Sequence, residues 1–367
     1  MTGEATIKSS TEVTLSGSFA NATGTPTEVG FYWGTSSNPT SGKSVNTTSS
    51  SFSLNVTSLK SNTKYYYCTY VTVAGTGSYA NEPKVIRGAE KSFTTPANTV
   101  EPAVSGKSWL ELPGAVNNSN YLVNTYYSST ESDANRNYTH CYDKTTYTSL
   151  WTSYHLNSTH MGTLKRLGSW YYSPSIDESY QVNLKSSSYA GDTYSRGHMI
   201  PNASRNGNTE MQKQVFYVTN SVPQRQNQFN GSIWASLEGV LQSIGKSEEI
   251  YIVTGVAFNK VGEHLSISYV SAQKESADGK VKNCPVPNYF YKVVLKVHKS
   301  GSTVTSASAI GFWFEHKDYE KGDSYTEYSV SVDQIEEWTG FDFFVNVPDG
   351  VESEAEGNES WTVFQSF

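Results

Sequence analysis

Tyr194-Ser195-Arg196-Gly197-His198-Met199-Ile200-Pro201-Asn202 is the stretch of this sequence that says most about its fold and chemistry. It places a fixed cation, Arg196, close to a titratable imidazole, His198, with a glycine between them that lets the backbone bend. Hydrolysis of a phosphodiester needs one group that takes a proton from water and one that holds a phosphoryl oxygen. An Arg-Gly-His sequence alone is more often a surface turn, so the flanking segments must decide.

Residues downstream of this stretch supply polar groups that suit a hard cation. The pattern of residues 216–224 predicts a strand that breaks into a turn, and this segment includes Asn220. Residues 229–244 repeat apolar side chains at helical spacing and are followed by a glycine, which predicts a helix. Eight residues at about 100° each bring Glu238 to within roughly 80° of Asn230 on that helix. We therefore expect an amide and a carboxylate to face one cleft, a donor set that suits Mg2+.

The order of these motifs resembles that of the DNA/RNA non-specific endonucleases of the ββα-metal fold. The resemblance rests on Ser195-Arg196-Gly197-His198-x-x-Pro201, Thr219-Asn220-x-x-Pro223-Gln224, Asn230-x-x-x-Trp234-x-x-Leu237-Glu238 and Val253-Thr254-Gly255. A further match, Val286-Pro287-x-x-Phe290-Tyr291-Lys292, lies nearer the C-terminus. The resemblance covers nearly all of residues 108–350, and it implies an α+β nuclease domain.

The resemblance also implies a role for each matching residue. His198 would be the general base, Asn230 the single direct ligand of Mg2+, and Glu238 and Asn220 would act on the metal through water. Mn2+ or another divalent cation could replace Mg2+. The phosphate would be held by Arg196 and, in a looser alignment, by Arg166. The implied activity is hydrolysis of DNA and RNA that leaves 5′-phosphate and 3′-hydroxyl ends.

Each implied role has a structural alternative. His198 could be a loop histidine whose hydrogen bonds are satisfied, and Asn230 could cap the helix, since asparagine is a favoured N-cap residue. Glu238 could be a solvated carboxylate, and Arg166 an ordinary surface charge.

Two positions depart from the family pattern and keep other functions open. The family usually has aspartate where this chain has Ser195, and some members carry arginine where it has Gln242. A catalytically silent surface binding or adhesion protein is therefore the main alternative. A metal-dependent phosphodiesterase for small substrates is a third.

The N-terminal hundred residues have a different pattern. Short alternating runs at residues 12–19, 29–33, 51–56, 64–73 and 91–95 predict an antiparallel β-sandwich. Leu59 and Tyr65 resemble the corner of a fibronectin type III module, whose default role is that of a spacer. We expect this all-β module over residues 1–97, a linker over 98–107, and the nuclease-like domain over 108–367.

In the second domain, runs at residues 250–255, 289–297 and 307–314 predict strands. Ser331, Gln334 and Gly340 delimit a second helix at 332–338. The mixed order of strands and helices indicates an α+β domain.

Composition and charge restrict how the protein could meet a polyanion. The 367 residues carry a net charge of −7 and 13% aromatic residues, which argues for a folded protein. The segment 315–367 holds 14 acidic and 2 basic residues, so a nucleic acid would have to meet a local basic patch. Such a patch is expected between residues 181 and 230, from Lys185, Arg196, Arg205, Lys213 and Arg225.

The remaining sequence signals concern location. No apolar stretch is long enough to span a bilayer, and the first ten residues show neither a basic n-region nor an apolar h-region. We expect a secreted, periplasmic or cell-surface protein whose leader is absent from the given chain. The three cysteines allow one disulfide at most. Cys141 and Cys284 could pair in an oxidising compartment, which would leave Cys68 free.

Overall fold

Two units divide the chain, Met1–Thr99 and Val100–Phe367. The structure, a computed structural model, describes residues 1–9, 11–20, 26–45, 47, 49–57, 59–60, 63–74, 84–96, 101–320 and 322–367. Part of the predicted linker, residues 98–100, lies outside the described residues, as do Ser61 and Asn62 in the predicted corner. The rest of the linker, residues 101–107, packs on the second unit, where the Ala103 N–H donates to the Pro113 carbonyl at 2.9 Å.

The first unit is built of β-strands. Its strands are β1 (Thr6–Ile7), β2 (Val13–Ser18), β3 (Pro26–Gly34), β4 (Gly42–Val45), β5 (Ser51–Val56), β6 (Lys64–Val73), β7 (Lys84–Arg87) and β8 (Lys91–Thr94). One antiparallel sheet has the order β1-β2-β5, and the other has the order β4-β3-β6-β7 with β8 also paired to β6. Side chains from both sheets, among them Leu15 and Phe31, share one buried core. At the predicted corner, the Lys60 N–H donates to the Tyr65 hydroxyl at 2.9 Å.

The second unit is a mixed sheet and helix fold around a seven-stranded antiparallel sheet. The sheet order is β19-β18-β17-β14-β11-β10-β9, and two small two-stranded sheets, β12-β13 and β15-β16, accompany it. The strands are β9 (Tyr121–Tyr127), β10 (Arg136–Asp143), β11 (Thr148–Leu156), β12 (Tyr194–His198), β13 (Ser221–Arg225), β14 (Ile250–Ala257), β15 (Tyr269–Glu275), β16 (Val281–Pro285), β17 (Tyr289–Ser300), β18 (Thr303–Glu315) and β19 (Ser329–Val330).

The helices are α1 (Thr209–Gln214), α2 (Ala235–Ser247), α3 (Val332–Thr339), α4 (Asp349–Glu356) and α5 (Trp361–Ser366), and a π-helical segment, Gln226–Trp234, precedes α2. Helix α3 begins where the sequence predicts it, with the Ser331 hydroxyl accepting from the Gln334 N–H at 3.1 Å. It ends at Gly340, whose φ of 73° is left-handed, a conformation that glycine adopts without strain.

The two faces of the central sheet form two separate cores. Along β17, Phe290 and Val294 belong to one core, whereas Tyr291, Val293 and Leu295 belong to the other. This alternation follows from the two-residue repeat of a strand. Helix α2 packs on the first face through Leu237 and Leu241. Helices α3 and α4 pack on the second face through Ile335 and Ala355.

The structure corrects the predicted helix over residues 229–244. The helical chain bends at Ser232, whose φ of −127° and ψ of −108° are not helical, and a Gly-Ser pair is a common site of such kinks. Gly245 does not stop α2, which continues to Ser247. A Cβ atom at Gly245 would lie 2.8 Å from Leu156 Cγ, so this glycine lets the helix approach β11.

Cys141 and Cys284, whose pairing the sequence left open, do not form a disulfide. All three cysteines are free and buried. Cys141 belongs to the core on one face of the central sheet, whereas Cys284 belongs to the core on the other. The structure therefore gives no disulfide argument for an oxidising compartment. No helix of the described residues is long and apolar enough to cross a membrane.

Candidate active site

Two of the predicted motifs pair directly as neighbouring strands. In the β12-β13 ladder, Ser195 lies opposite Gln224 and His198 lies opposite Ser221. Gly197 is required at this crossing because a Cβ atom there would lie 2.1 Å from Gln224 Oε1 and 2.5 Å from Gln224 Cβ. The local ladder thus brings the Arg-Gly-His segment and the segment after Asn220 into one place.

The π-helical segment after β13 carries Asn230 back over β12. Asn230 Nδ2 donates to Ser195 Oγ at 3.4 Å and to Gln226 Oε1 at 3.5 Å. Its Oδ1 makes no hydrogen bond to the described residues. The amide oxygen is therefore available to a cation, and Ser195 orients the amide without adding a charge.

A polar cavity of about 390 Å3 lies between these elements. It brings together five of the six predicted site residues. The lining residues are Arg166, Trp170, Ser188, Ser195, Arg196, His198, Pro201, Asn202, Gln226, Asn230, Gly231, Ala235 and Glu238.

His198 is held between aromatic rings with one nitrogen unused. The imidazole centroid lies 4.5 Å from that of Trp170 and 5.0 Å from that of Phe216. The Nε2 atom is buried and has no hydrogen-bond partner among the described residues. Burial, with the charges of Arg166 and Arg196, lowers the pKa of His198 to about 3. The imidazole is therefore neutral at neutral pH and can accept a proton.

Two guanidinium groups flank the imidazole. Arg196 donates to the Leu184 carbonyl at 2.7 Å and lies 5.2 Å from the centre of the Trp170 ring. Arg166 lies 5.3 Å from the centre of the Phe216 ring. Burial lowers the pKa of both groups, although arginine stays charged at any physiological pH. Together they make this cavity suitable for a phosphate group.

Glu238 sits at the start of α2 beside a buried lysine. Its Oε1 lies 4.0 Å from Lys292 Nζ, which donates to Thr254 Oγ1 at 2.6 Å and lies 4.5 Å from the centre of the Trp234 ring. Burial raises the pKa of Glu238, whereas Lys292 and Arg166 lower it. In the sequence, Lys292 stands in a mostly apolar strand motif to which no site role was assigned. A lone cation within an otherwise apolar run was the signal for its role.

Asn220 is not among the residues that line the cavity. Its side chain is fully buried. Its Oδ1 accepts from the Ile200 N–H at 3.1 Å, and its Nδ2 donates to the carbonyls of Val215 at 2.8 Å and Ile200 at 3.2 Å. Asn220 thus fixes the loop that follows His198.

Other predicted positions also lie outside the cavity. Gln242 Nε2 contacts Ser204 Oγ at 3.4 Å. Arg205, which the sequence analysis counted in a basic patch, is fully buried and donates to the carbonyls of Asn137 and His155 at 2.9 and 2.8 Å. It cannot contact a polymer. Arg225 pairs with Asp318 at 2.9 Å.

Of the predicted basic patch, Arg196 lines the first cavity, and Lys185 and Lys213 lie elsewhere. Together with Tyr171, Tyr172 and Tyr217 they line a second open cavity of about 390 Å3. Lys185 Nζ lies 4.0 Å from the centre of the Tyr172 ring. The sequence did not single out these tyrosines, because the chain has 26 tyrosines spread along its length.

The donor set of the first cavity fits a hydrated divalent cation. The Asn230 amide oxygen and the Glu238 carboxylate are the hard oxygen ligands that Mg2+ prefers, and Mg2+ usually keeps several waters. The unpartnered Nε2 of His198 could accept a hydrogen bond from such a water.

Comparison with known proteins identifies the family to which the second unit is similar. The profile of the DNA/RNA non-specific endonuclease family matches residues 117–350. The chain is 28% identical over 219 residues to "Nuclease" of Nostoc sp., with 59% of this chain and 73% of that protein covered. It is 29% identical over 180 residues to "Nuclease 1, mitochondrial" of Schizosaccharomyces pombe, covering 48% of this chain and 53% of that protein.

Two further matches are more distant. "Nuclease EXOG, mitochondrial" of Xenopus laevis is 26% identical over 230 residues, 59% of each chain. A crystal structure of an EndoG/EndoGI complex superposes with a TM-score of 0.47 at 20% identity, covering 60% of this chain and 87% of that one. The aligned part spans only a little over half the length of the Schizosaccharomyces and Xenopus proteins. The extent of the profile match shows that this chain belongs to the DNA/RNA non-specific endonuclease family, whose members are nucleic-acid-hydrolysing enzymes.

Proposed function

We propose that the second unit is an Mg2+-dependent endonuclease that hydrolyses phosphodiester bonds of both DNA and RNA and leaves 5′-phosphate ends. One observation carries the proposal. His198, with an unpartnered Nε2, and Asn230, with a free amide oxygen, line one polar cavity between two arginines. Family membership makes a phosphodiester the natural substrate for this arrangement.

His198 is the group that takes the proton. Its neutral Nε2 accepts a proton from the water that attacks phosphorus. The P–O3′ bond breaks, and the departing 3′-oxygen takes a proton from solvent water to become a 3′-hydroxyl. The low pKa of His198 makes it a weak base in the free enzyme. A bound phosphate offsets the charges of Arg166 and Arg196, which raises that pKa during the reaction. The base therefore gains strength when substrate is present.

The other cavity residues bind and orient. Asn230 would hold the cation directly, and Glu238 would orient its waters. When bound, the cation supplies positive charge beside the departing oxygen. Arg166 and Arg196 hold the non-bridging phosphate oxygens. Contacts of this kind go to the backbone of a nucleic acid and carry no base information, which supports low selectivity for sequence and sugar.

The first unit is proposed to be a fibronectin type III-like spacer over residues 1–97, joined by residues 98–107 to the nuclease domain over 108–367. Its two sheets with one core and the Lys60–Tyr65 hydrogen bond support this assignment. The nuclease domain would be of the ββα-metal type, with β12, β13 and the kinked helix as its core motif. Secretion or display at the cell surface is part of the same proposal.

A digestion assay tests the proposed activity. The full chain with Mg2+ should degrade plasmid DNA and RNA, and EDTA should stop both reactions. His198→Ala should lower the rate by about 10²–10⁴-fold, the usual contribution of a general base. The matched control is His264→Ala, because His264 is exposed and outside the cavity; it should digest at the wild-type rate.

Other results would identify a different function. Intact polymers after long incubation with several divalent metals would favour the silent binding protein. Cleavage of a model diester but not of polymer would favour a small-substrate phosphodiesterase. Equal loss of activity in both histidine variants would contradict the role of His198.

A further inference from the structure

Helices α3 and α4 gather acidic side chains on the sheet face opposite the catalytic cavity. Asp333 and Glu336 are three positions apart on α3, and Asp349, Glu352 and Glu356 follow the same helical spacing on α4, so each set shares one helix face. Asp342 lies between the helices. We call the following residues the acidic cluster: Asp333, Glu336, Asp342, Asp349, Glu352 and Glu356.

Three of these carboxylates already have the spacing of ligands around one ion. Ligand oxygens of Asp333, Glu336 and Glu356 all lie within 4.8 Å of one another. Oxygens that bind Ca2+ at about 2.3–2.6 Å are separated by at most roughly 5 Å. Asp333 is exposed, Glu336 half-buried and Glu356 buried, so the group is open to solvent on one side and closed on the other.

Buried oxygens without partners are the second, independent sign of a ligand. Glu356 is 5% exposed, and its Oε1 has no hydrogen-bond partner among the described residues. Glu352 is also 5% exposed with an unpartnered Oε1. A buried carboxylate oxygen without a partner is costly, and native structures rarely contain one unexplained. We therefore expect a ligand at the Glu356 carboxylate, which belongs to the group of three.

The charges around Glu356 identify the sign of that ligand. The charged groups that act on its carboxylate are Glu336, Glu352, Asp333 and Asp342, all acidic. Burial raises the pKa of the Glu356 carboxyl, and these four acidic neighbours raise it further. The Phe343 N–H donates to Glu336 Oε1 at 2.7 Å. A cation would relieve this repulsion.

We propose that the acidic cluster binds a Ca2+ ion through Asp333, Glu336 and Glu356. Ca2+ accepts several carboxylates in irregular geometry, whereas Mg2+ is usually held by one or two. The site would tie α3 to the end of α4 and would stabilise the fold rather than take part in hydrolysis, because the catalytic residues lie on the other sheet face. This inference does not depend on the proposed activity.

Calcium binding to the full chain tests the proposal. The metal-free protein is titrated with CaCl2 by calorimetry, and thermal unfolding is followed with and without Ca2+. We expect Ca2+ to raise the unfolding midpoint of the second unit. Glu356→Gln should weaken calcium binding by at least about 10–100-fold, the loss seen when even supporting groups of a metal site are removed. The matched control Glu354→Gln removes the same charge from an exposed position on α4 and should bind like the wild type.

Further measurements separate this site from the catalytic cavity and from misfolding. Asn230→Ala should leave the calcium-induced rise in the midpoint intact. Without metal, Glu356→Gln should be at least as stable as the wild type, because it removes a repelled carboxylate. The proposal is overturned if Ca2+ does not raise the wild-type midpoint, if Glu356→Gln and Glu354→Gln respond equally, or if Mg2+ binds as tightly as Ca2+.

Discussion

Lys292 is a buried cation beside the Glu238 carboxylate. It is fully buried on β17. Its ammonium donates a hydrogen bond to the Thr254 hydroxyl at 2.6 Å and lies 4.0 Å from the Glu238 carboxylate. Burial lowers the pKa of Lys292, whereas Glu238 raises it. Each charge therefore stabilises the other, and Lys292 favours the ionised form of Glu238, the form proposed to orient the waters of the cation.

Replacing Lys292 by methionine tests this coupling. Without the ammonium, the pKa of Glu238 rises, so the ionised carboxylate forms only at higher pH. An opposite charge at this range shifts a pKa by about 1–3 units. We therefore expect the acidic limb of the pH–activity profile of Lys292→Met to move upward by at least about one pH unit.

Lys296→Met is the matched control for that variant. Lys296 lies on the same strand, is also buried, and pairs with Glu248 at 2.9 Å, away from the cavity. Its loss should lower stability without moving the activity profile. If both variants show the wild-type profile, Lys292 does not control Glu238.

At the scale of elements, the β12-β13 ladder fixes His198, the proposed general base, through the close packing of Gly197 against Gln224. In Gly197→Ala the new methyl would overlap Gln224, which is itself fully buried. We expect a loss of about 1–3 kcal/mol in unfolding free energy and a larger relative loss of activity, because His198 follows directly. Chemical denaturation and the digestion assay measure the two effects.

Gly239→Ala provides the opposite case on α2. A Cβ atom at Gly239 would meet nothing within 4 Å, and alanine favours a helix over glycine by roughly 0.5–1 kcal/mol. This variant should be slightly more stable and fully active. A Gly197→Ala protein that behaved in the same way would show that the ladder tolerates a side chain there.

The elements also show where sequence patterns suffice and where they fail. The strands at Ser51–Val56 and Lys64–Val73 match the predicted bounds, because their period of two is a local property. The helix over residues 229–244 was predicted without a break, since apolar spacing continues across the kink at Ser232. Asn230 and Glu238 share a cavity, but the kink places them there, not one continuous helix.

At the scale of the whole molecule, the order of the strands in the central sheet could not be predicted from the sequence. Strand β14 lies between β11 and β17, and no local pattern specifies such distant pairing. The same limit explains why the sequence left the pairing of Cys141 and Cys284 open, because it does not show that they belong to opposite faces of the sheet. It also explains Arg205, whose charge suggested a surface patch although it holds backbone carbonyls in the interior.

The buried histidines should make the folded chain sensitive to acid. Burial lowers the pKa of His140 to about 3, so between pH 6.5 and 3 the unfolded state binds the proton and the folded state does not. Stability therefore falls with decreasing pH, by roughly 1.4 kcal/mol per unit for each such histidine.

His140→Gln isolates this effect. The variant should lose less unfolding free energy than the wild type between pH 6 and pH 4, by about 1.4 kcal/mol per unit. At pH 8 His140 is neutral in both the folded and the unfolded protein. Denaturant titrations at that pH therefore give the change in unfolding free energy that the substitution causes through packing alone. Parallel curves from pH 8 to pH 4 would contradict the assignment.

Each unit has its own buried core, which is the property of a segment that can fold alone. A chain lacking Met1–Thr99 should therefore stay folded and keep kcat/KM for short oligonucleotides within about twofold, a difference of only about 0.4 kcal/mol. Circular dichroism and the digestion assay check both parts. A large loss would show that the first unit takes part in catalysis.

The three cysteines are free and buried, and burial raises the pKa of Cys141 and Cys284 to about 12. Protonated thiols are poor nucleophiles, and the chain has no disulfide that a reductant could reduce. Folding of this chain therefore requires no disulfide bond, and its unfolding free energy should be the same with and without a reductant.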